Sequence, residues 1–120
     1  MMKPLFLTSA FFAMTISIAS AQPAVTGADL LVDLDQYIGK EVILMDVSVY
    51  GADNDGALAQ SKGVTFKISN QGIDRETFRR FLTNCSSSDC DGLRLLVTPN
   101  GQKTMDWPVL INVKIVPSNR

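Results

Sequence analysis

The sequence predicts a mainly β domain: a five-stranded, partly open barrel with one helix between its third and fourth strands and a short helix in front. Three observations predict it. Apolar residues recur with a period of two over 42–50, 64–69 and 105–115, the pattern of strands with one buried face. A single well-punctuated amphipathic helix, over 74–85, interrupts the strands. Turn-forming residues at 51–56, 62–63 and 99–101 divide the strands at hairpin spacing.

The chain opens with Met1-Met2-Lys3-Pro4, an uncharged apolar run from Leu5 to Ile18, and Ala19-Ser20-Ala21. One positive charge, a short apolar stretch and a small-x-small site describe a secretory signal over 1–21, cleaved before Gln22. The apolar stretch partitions into the export channel, and the peptidase accepts only small side chains at its two recognition positions. A transmembrane anchor would need about 20 apolar residues. Thr15, Ser17 and Ser20 dilute this run, so no membrane span is expected after cleavage. Residues 22–120 then have the length of one domain. The formal charge of −1 becomes −2 once Lys3 is removed. That balance argues against nucleic acid as a partner, because phosphate contacts by Lys and Arg supply most of such affinity.

Residues 24–27 read as a short polar lead-in. Leu30, Leu31, Leu34, Tyr37 and Ile38 stand at near-helical spacing, so a short amphipathic helix is expected over 28–38, ending at Gly39. In the first strand, Ile43, Met45, Val47 and Val49 fall on one face and Leu44, Asp46, Ser48 and Tyr50 on the other. The turn 51–56 leads to a short strand over 57–61 of low strand propensity, and Lys62-Gly63 to a third strand with Val64, Phe66 and Ile68 on its apolar face. In the main helix Asp74 is the expected N-cap, Glu76 suits the helix dipole, and Ile73 and Phe78 stand at the positions of a hydrophobic staple. Phe78, Phe81, Leu82 and Cys85 form its expected buried stripe. Residues 93–98 make a fourth strand and 99–101 a tight turn. In the last strand Met105, Trp107, Val109, Ile111, Val113 and Ile115 all share one parity, while Pro108, which has no N–H to give a ladder, marks a bulge or an unpaired stretch.

Cys85 and Cys90 are the only cysteines. In an exported chain such a pair reads as a disulfide rather than two free thiols. The four-residue spacer is not that of redox-active pairs, so the bridge is structural. Five residues of continuous helix would advance about 7.5 Å and hold the two sulfurs apart, so the chain must turn after Cys85. The chain has no histidine, which removes serine–histidine and cysteine–histidine catalysis, and two thiolates do not make a zinc site. No metal or cofactor is expected. The turn at Asp53-Asn54-Asp55-Gly56 lacks both the first aspartate and the closing glutamate of a calcium loop, since Gly51 and Lys62 occupy those places. It reads as a hairpin turn.

Strand, strand, strand, helix, strand, strand is the order of the OB-fold, a Greek-key barrel. Tyr37-Ile38-Gly39-Lys40-Glu41-Val42 resembles the opening of many small bacterial OB domains, and 108–115 resembles their closing strand. With the helix carrying Phe78 and Phe81 and ending in a cysteine pair, the chain resembles small exported bacterial OB-fold-like proteins of uncharacterised function. The resemblance covers the chain from about Leu34 onward. It implies a ligand surface on the second and third strands and the flanking loops, which names Tyr50, Thr65, Lys67 and Lys103 as binding candidates.

The expected function is a non-enzymatic periplasmic or secreted binding module for a carbohydrate, a small molecule or a protein. The alternatives are an oligonucleotide-binding OB domain, for which Tyr50 is the one exposed aromatic candidate, and a secreted enzyme built on dispersed carboxylates such as Asp33 and Asp35 or Asp89 and Asp91. Arg75, Arg79 and Arg80 either form a solvated helix face, partly paired with Asp74 and Glu76, or face an anionic partner.

Overall fold

A computed structural model describes residues 22–117. The expected signal segment, 1–21, lies outside the described residues. The elements are β1 (Ala24–Val25), α1 (Gly27–Val32), α2 (Leu34–Tyr37), β2 (Val42–Asp53), β3 (Gly56–Ser61), β4 (Val64–Ser69), α3 (Arg75–Asn84), β5 (Cys90–Thr104) and β6 (Trp107–Ile115). Strands β2, β3, β4, β6 and β5 follow one another around a barrel that β2 and β5 close. Within the barrel every pairing is antiparallel except the seam between β4 and β6, which is parallel and has two register pairs, Lys67↔Val109 and Ile68↔Leu110. This is the OB-like barrel that the strand order predicts, with α3 between the third and fourth barrel strands.

The lead-in 24–27 proves more ordered than expected. Ala24 and Val25 add a parallel strand to β2, and the Ile43 N–H donates to the Pro23 carbonyl at 2.8 Å. The expected helix over 28–38 is two short helices, broken at Asp33, and Gly39 follows with φ 81°. Gly27 has to be glycine. A Cβ there would stand 2.3 Å from the Ser61 carbonyl oxygen, and its N–H donates to the Ser61 hydroxyl at 2.9 Å. That buried hydroxyl donates onward to the Met45 carbonyl at 2.6 Å, tying α1 to two barrel strands.

Two strands depart from strict alternation, for one reason. In β2 the core residues are Val42, Leu44, Val47, Val49 and Ala52, not the odd-numbered series throughout. Asp46 takes φ 55°, the ladder to β5 shifts between Leu44 and Val47, and the side-chain parity flips there. In β6 the buried residues include Leu110 and Val113, while Met105 is exposed and Ile111 only half-buried. Asn112, with φ 55°, makes the flip. Asp and Asn enter this left-handed region at lower cost than other side chains, and a bulge bends the strand as a closing barrel requires.

The third hairpin also differs. Residues 99–101 do not turn: β5 runs to Thr104, and the turn is Met105-Asp106, with φ 51° and 69°. Both signs positive describe a two-residue type I′ turn, whose twist suits a hairpin. The irregularity expected at Pro108 falls on its partner, where the register slips between Pro99 and Lys103. The turn 51–56 is likewise shorter, since β2 extends to Asp53.

The core explains the weak strand β3. Ala57 and Ala59 point inward opposite Ile68 and Phe66, so small residues make room for large ones. Phe81 fills the barrel end beneath α3 and is fully buried. The buried face of α3 is Thr77, Phe81 and Cys85; Phe78 is half-buried and Leu82 exposed, so the stripe lies nearer Thr77 than the sequence suggests. Asp74 caps the helix as expected, accepting from the Thr77 N–H and the Thr77 hydroxyl, both at 3.0 Å. These bonds, the backbone one first, with the nearby Lys114 charge, hold the Asp74 carboxyl below its usual range. Thr77 in turn accepts from the Ile115 N–H at 2.9 Å, fastening α3 to β6. Cys85 and Cys90 are bridged with Cα atoms 5.4 Å apart, and the chain turns after Cys85. Among the described residues, no helix is long and apolar enough to cross a membrane.

Candidate functional site

The two ends of the barrel are covered differently. Beneath α3, Ala52 donates to the Cys85 carbonyl at 3.2 Å and Asp74 donates to the Val113 carbonyl at 2.9 Å. At the other end, where β3 finishes at Ser61, α1 and α2 lie beside the long β5–β6 hairpin. Between them an open groove of about 270 Å³ remains. Leu31, Val32, Leu34 and Ile38 form its helical wall, and Pro99, Pro108 and Val109 form the hairpin wall. Asp35 and Lys103 stand at its rim.

The groove carries exposed apolar side chains among the polar Asp35, Gln102 and Lys103. Val32 is 82% exposed and Met105, at the hairpin tip, 77%. Leu31 and Ile38 are also exposed. These four, with Leu82 on α3, are the exposed large apolar side chains of the described residues. Their clustering at one end is a second departure from the expected helix stripe, which placed Leu31 and Ile38 in the core. The excess was visible in the sequence: six of the nine residues from Leu30 to Ile38 are apolar, more than one face of so short a helix can bury.

Three of the four binding candidates share a surface. Alternation along β2, β3 and β4 sends Val49, Ala59 and Phe66 inward. Their neighbours stand outward in two rows, Ser48–Gln60–Thr65 and Tyr50–Leu58–Lys67, each a set of direct register partners. Tyr50, Thr65 and Lys67 are half-buried there. Lys103 is apart from them, exposed on β5 at the groove. The two surfaces meet at the barrel seam, because Lys67 is the register partner of the groove residue Val109.

Two of the acidic side chains are engaged locally. Asp53 accepts from the Asp55 N–H at 2.8 Å within the hairpin turn, and Asp91 accepts from the Ser48 hydroxyl at 2.8 Å. Arg79 pairs with Glu76 one turn away on α3, while Arg75 and Arg80 are exposed on the same helix. Comparison with family models, with curated proteins and with solved structures returned no match.

Proposed function

We propose that this protein is a non-enzymatic binding module, periplasmic or secreted, that holds a protein partner in the groove between α1–α2 and the β5–β6 hairpin. One observation carries the reading: exposed Leu31, Val32 and Ile38 line one groove, and exposed Met105 stands at the tip of the hairpin that forms its other wall. Apolar patches rimmed by polar residues mark interaction sites on soluble domains. Enclosure selects among ligands. Small-molecule sites run to about 300–1,000 Å³ and enclose most of the ligand. An open groove of about 270 Å³ suits a few anchoring side chains of a protein better. A carbohydrate would draw on stacking aromatics, and no aromatic side chain lines the groove. The signal-like N-terminus and the Cys85–Cys90 bridge support export.

Selection from a displayed peptide library, followed by binding measurements on variants, tests this. Selected peptides should lose affinity for Val32→Asp and Ile38→Asp and keep it for Lys67→Ala. Peptides indifferent to both groove changes would sink the reading. So would stabilisation in a thermal-shift panel by glycans alone, abolished by Tyr50→Ala.

A further inference from the structure

Four exposed aspects of this chain fit one another in pairs. At the groove end, Leu31, Val32 and Ile38 adjoin the exposed Asp33 and Asp35 on the helical wall, with Lys103 on the hairpin wall. Among the described residues neither aspartate takes part in an ion pair. At the opposite end, α3 carries the reverse pattern. Arg75, Phe78, Arg79 and Leu82 are spaced i, i+3, i+4 and i+7 and so share one helix face. Arg75, Arg79 and Leu82 are exposed, and Phe78 is half-buried. The helical wall of the groove is therefore apolar with an acidic border, facing Lys103 on the hairpin wall, and the other end presents a cationic helix face with apolar residues along it. The Arg79–Glu76 pair is no obstacle, because an exposed i, i+3 pair is weak and exchanges readily.

We propose that the groove of one molecule takes α3 of a second copy, so that the protein associates head to tail. This rests on the groove being a protein-binding site and names its occupant. Leu82 and Phe78 enter the groove in the manner of helix-in-groove recognition, with anchors at helical spacing. Arg75 and Arg79 face Asp33 and Asp35. The contact is heterologous: the two surfaces lie at opposite ends of the barrel, so a dimer leaves one groove and one α3 free. Such contacts extend into open chains unless the rotation closes a ring. The apolar area is small, so the association is weak and depends on concentration and on salt.

Sedimentation equilibrium of the mature chain at low salt tests it. The weight-average mass should rise with concentration and fall back towards monomer as salt is added. Arg75→Glu with Arg79→Glu should weaken association about tenfold or more, and so should Asp33→Lys with Asp35→Lys. Each doubly reversed protein carries two like-charged ends. Mixing the two should restore association, because each mixed contact pairs opposite charges. All four positions are exposed, and circular dichroism confirms that each variant is folded. A wild type that stays monomeric at every concentration overturns the proposal, as does association that survives both reversals or fails to return on mixing. Peptide selection on the Arg75→Glu, Arg79→Glu protein, whose groove is intact, tests the groove separately. Binding there without self-association would remove this occupant and leave the groove reading standing.

Discussion

The α3 end and the groove end of the barrel are built from similar material and arrive at opposite results. Each is covered by helix, and each places apolar side chains over the strands. At the α3 end every connection is made: a capped helix start, Thr77 bonded to both Asp74 and Ile115, Phe81 fully buried, and a disulfide where the helix stops. At the groove end two short helices broken at Asp33 bury Leu30 and leave Leu31, Val32 and Ile38 at the surface. The lesson is that helical cover alone does not seal a barrel. Capping and length decide whether the cover is a plug or one wall of a groove, because a helix of four to six residues has little face to bury.

Substitutions should separate the two ends by their effect on stability. Phe81→Ala should cost about 3–5 kcal/mol in denaturant unfolding, as the loss of a fully buried aromatic does. Replacing Cys85 and Cys90 together by alanine should lower stability by about 2 kcal/mol, the entropy of opening so short a loop. If that change were silent, the α3 end would owe its closure to packing alone. The Asp74 cap predicts a pH signature. Its carboxyl is held below the usual range in the folded state, so its contribution is complete above about pH 4 and is lost as pH falls below that towards the folded value. The thermal midpoint of the wild type should therefore fall more steeply below pH 4 than that of Asp74→Asn. Equal slopes would show that the cap does not discriminate the charged form. Smallest of all, Val32→Asp should change stability by no more than about 0.5 kcal/mol, since Val32 is 82% exposed. A large loss there would mean that the groove is core and not surface.

Much of this contrast was legible in the sequence. Asp74, Glu76 and Phe81 announced a real helix, and the cysteine pair told where it stops. The strand order gave the barrel. What escaped were the places where one residue reverses a strand's parity. Leu44-Met45-Asp46-Val47 and Leu110-Ile111-Asn112-Val113 have the same form: the outer aliphatic residues are buried and the third residue has φ 55°. Counting alternation across such a tetrad assigns the wrong face on one side of it. The signal was the lone Asp or Asn set inside an apolar run, since these residues reach the left-handed region most cheaply. The groove was missed for a different reason. Spacing reports which residues lie on one side of a helix, but not whether the helix is long enough to bring that side to the core. Tyr50, Thr65 and Lys67 share a surface as alternation implied, whereas Lys103 is separated from them because β5 continues three residues past Gly101 before it turns.

The parallel seam sets where the barrel gives way. Only Lys67↔Val109 and Ile68↔Leu110 join β4 to β6, against six register pairs between β3 and β4. Beyond Leu110 the seam is stitched: Asn112 donates to the Gln71 carbonyl at 3.0 Å and Asp74 to the Val113 carbonyl at 2.9 Å. On the other side of Val109 lie Pro108, which has no N–H to donate, and the hairpin wall of the groove. A fluctuation that parts the two strands therefore starts at the groove and runs towards α3, like a zip with its slider at one end. The Gly39 N–H bond to the Pro99 carbonyl, at 2.8 Å, ties the two groove walls at their base, so the strain of a bulky guest would fall on the hairpin beyond Pro99 while the capped end holds the register.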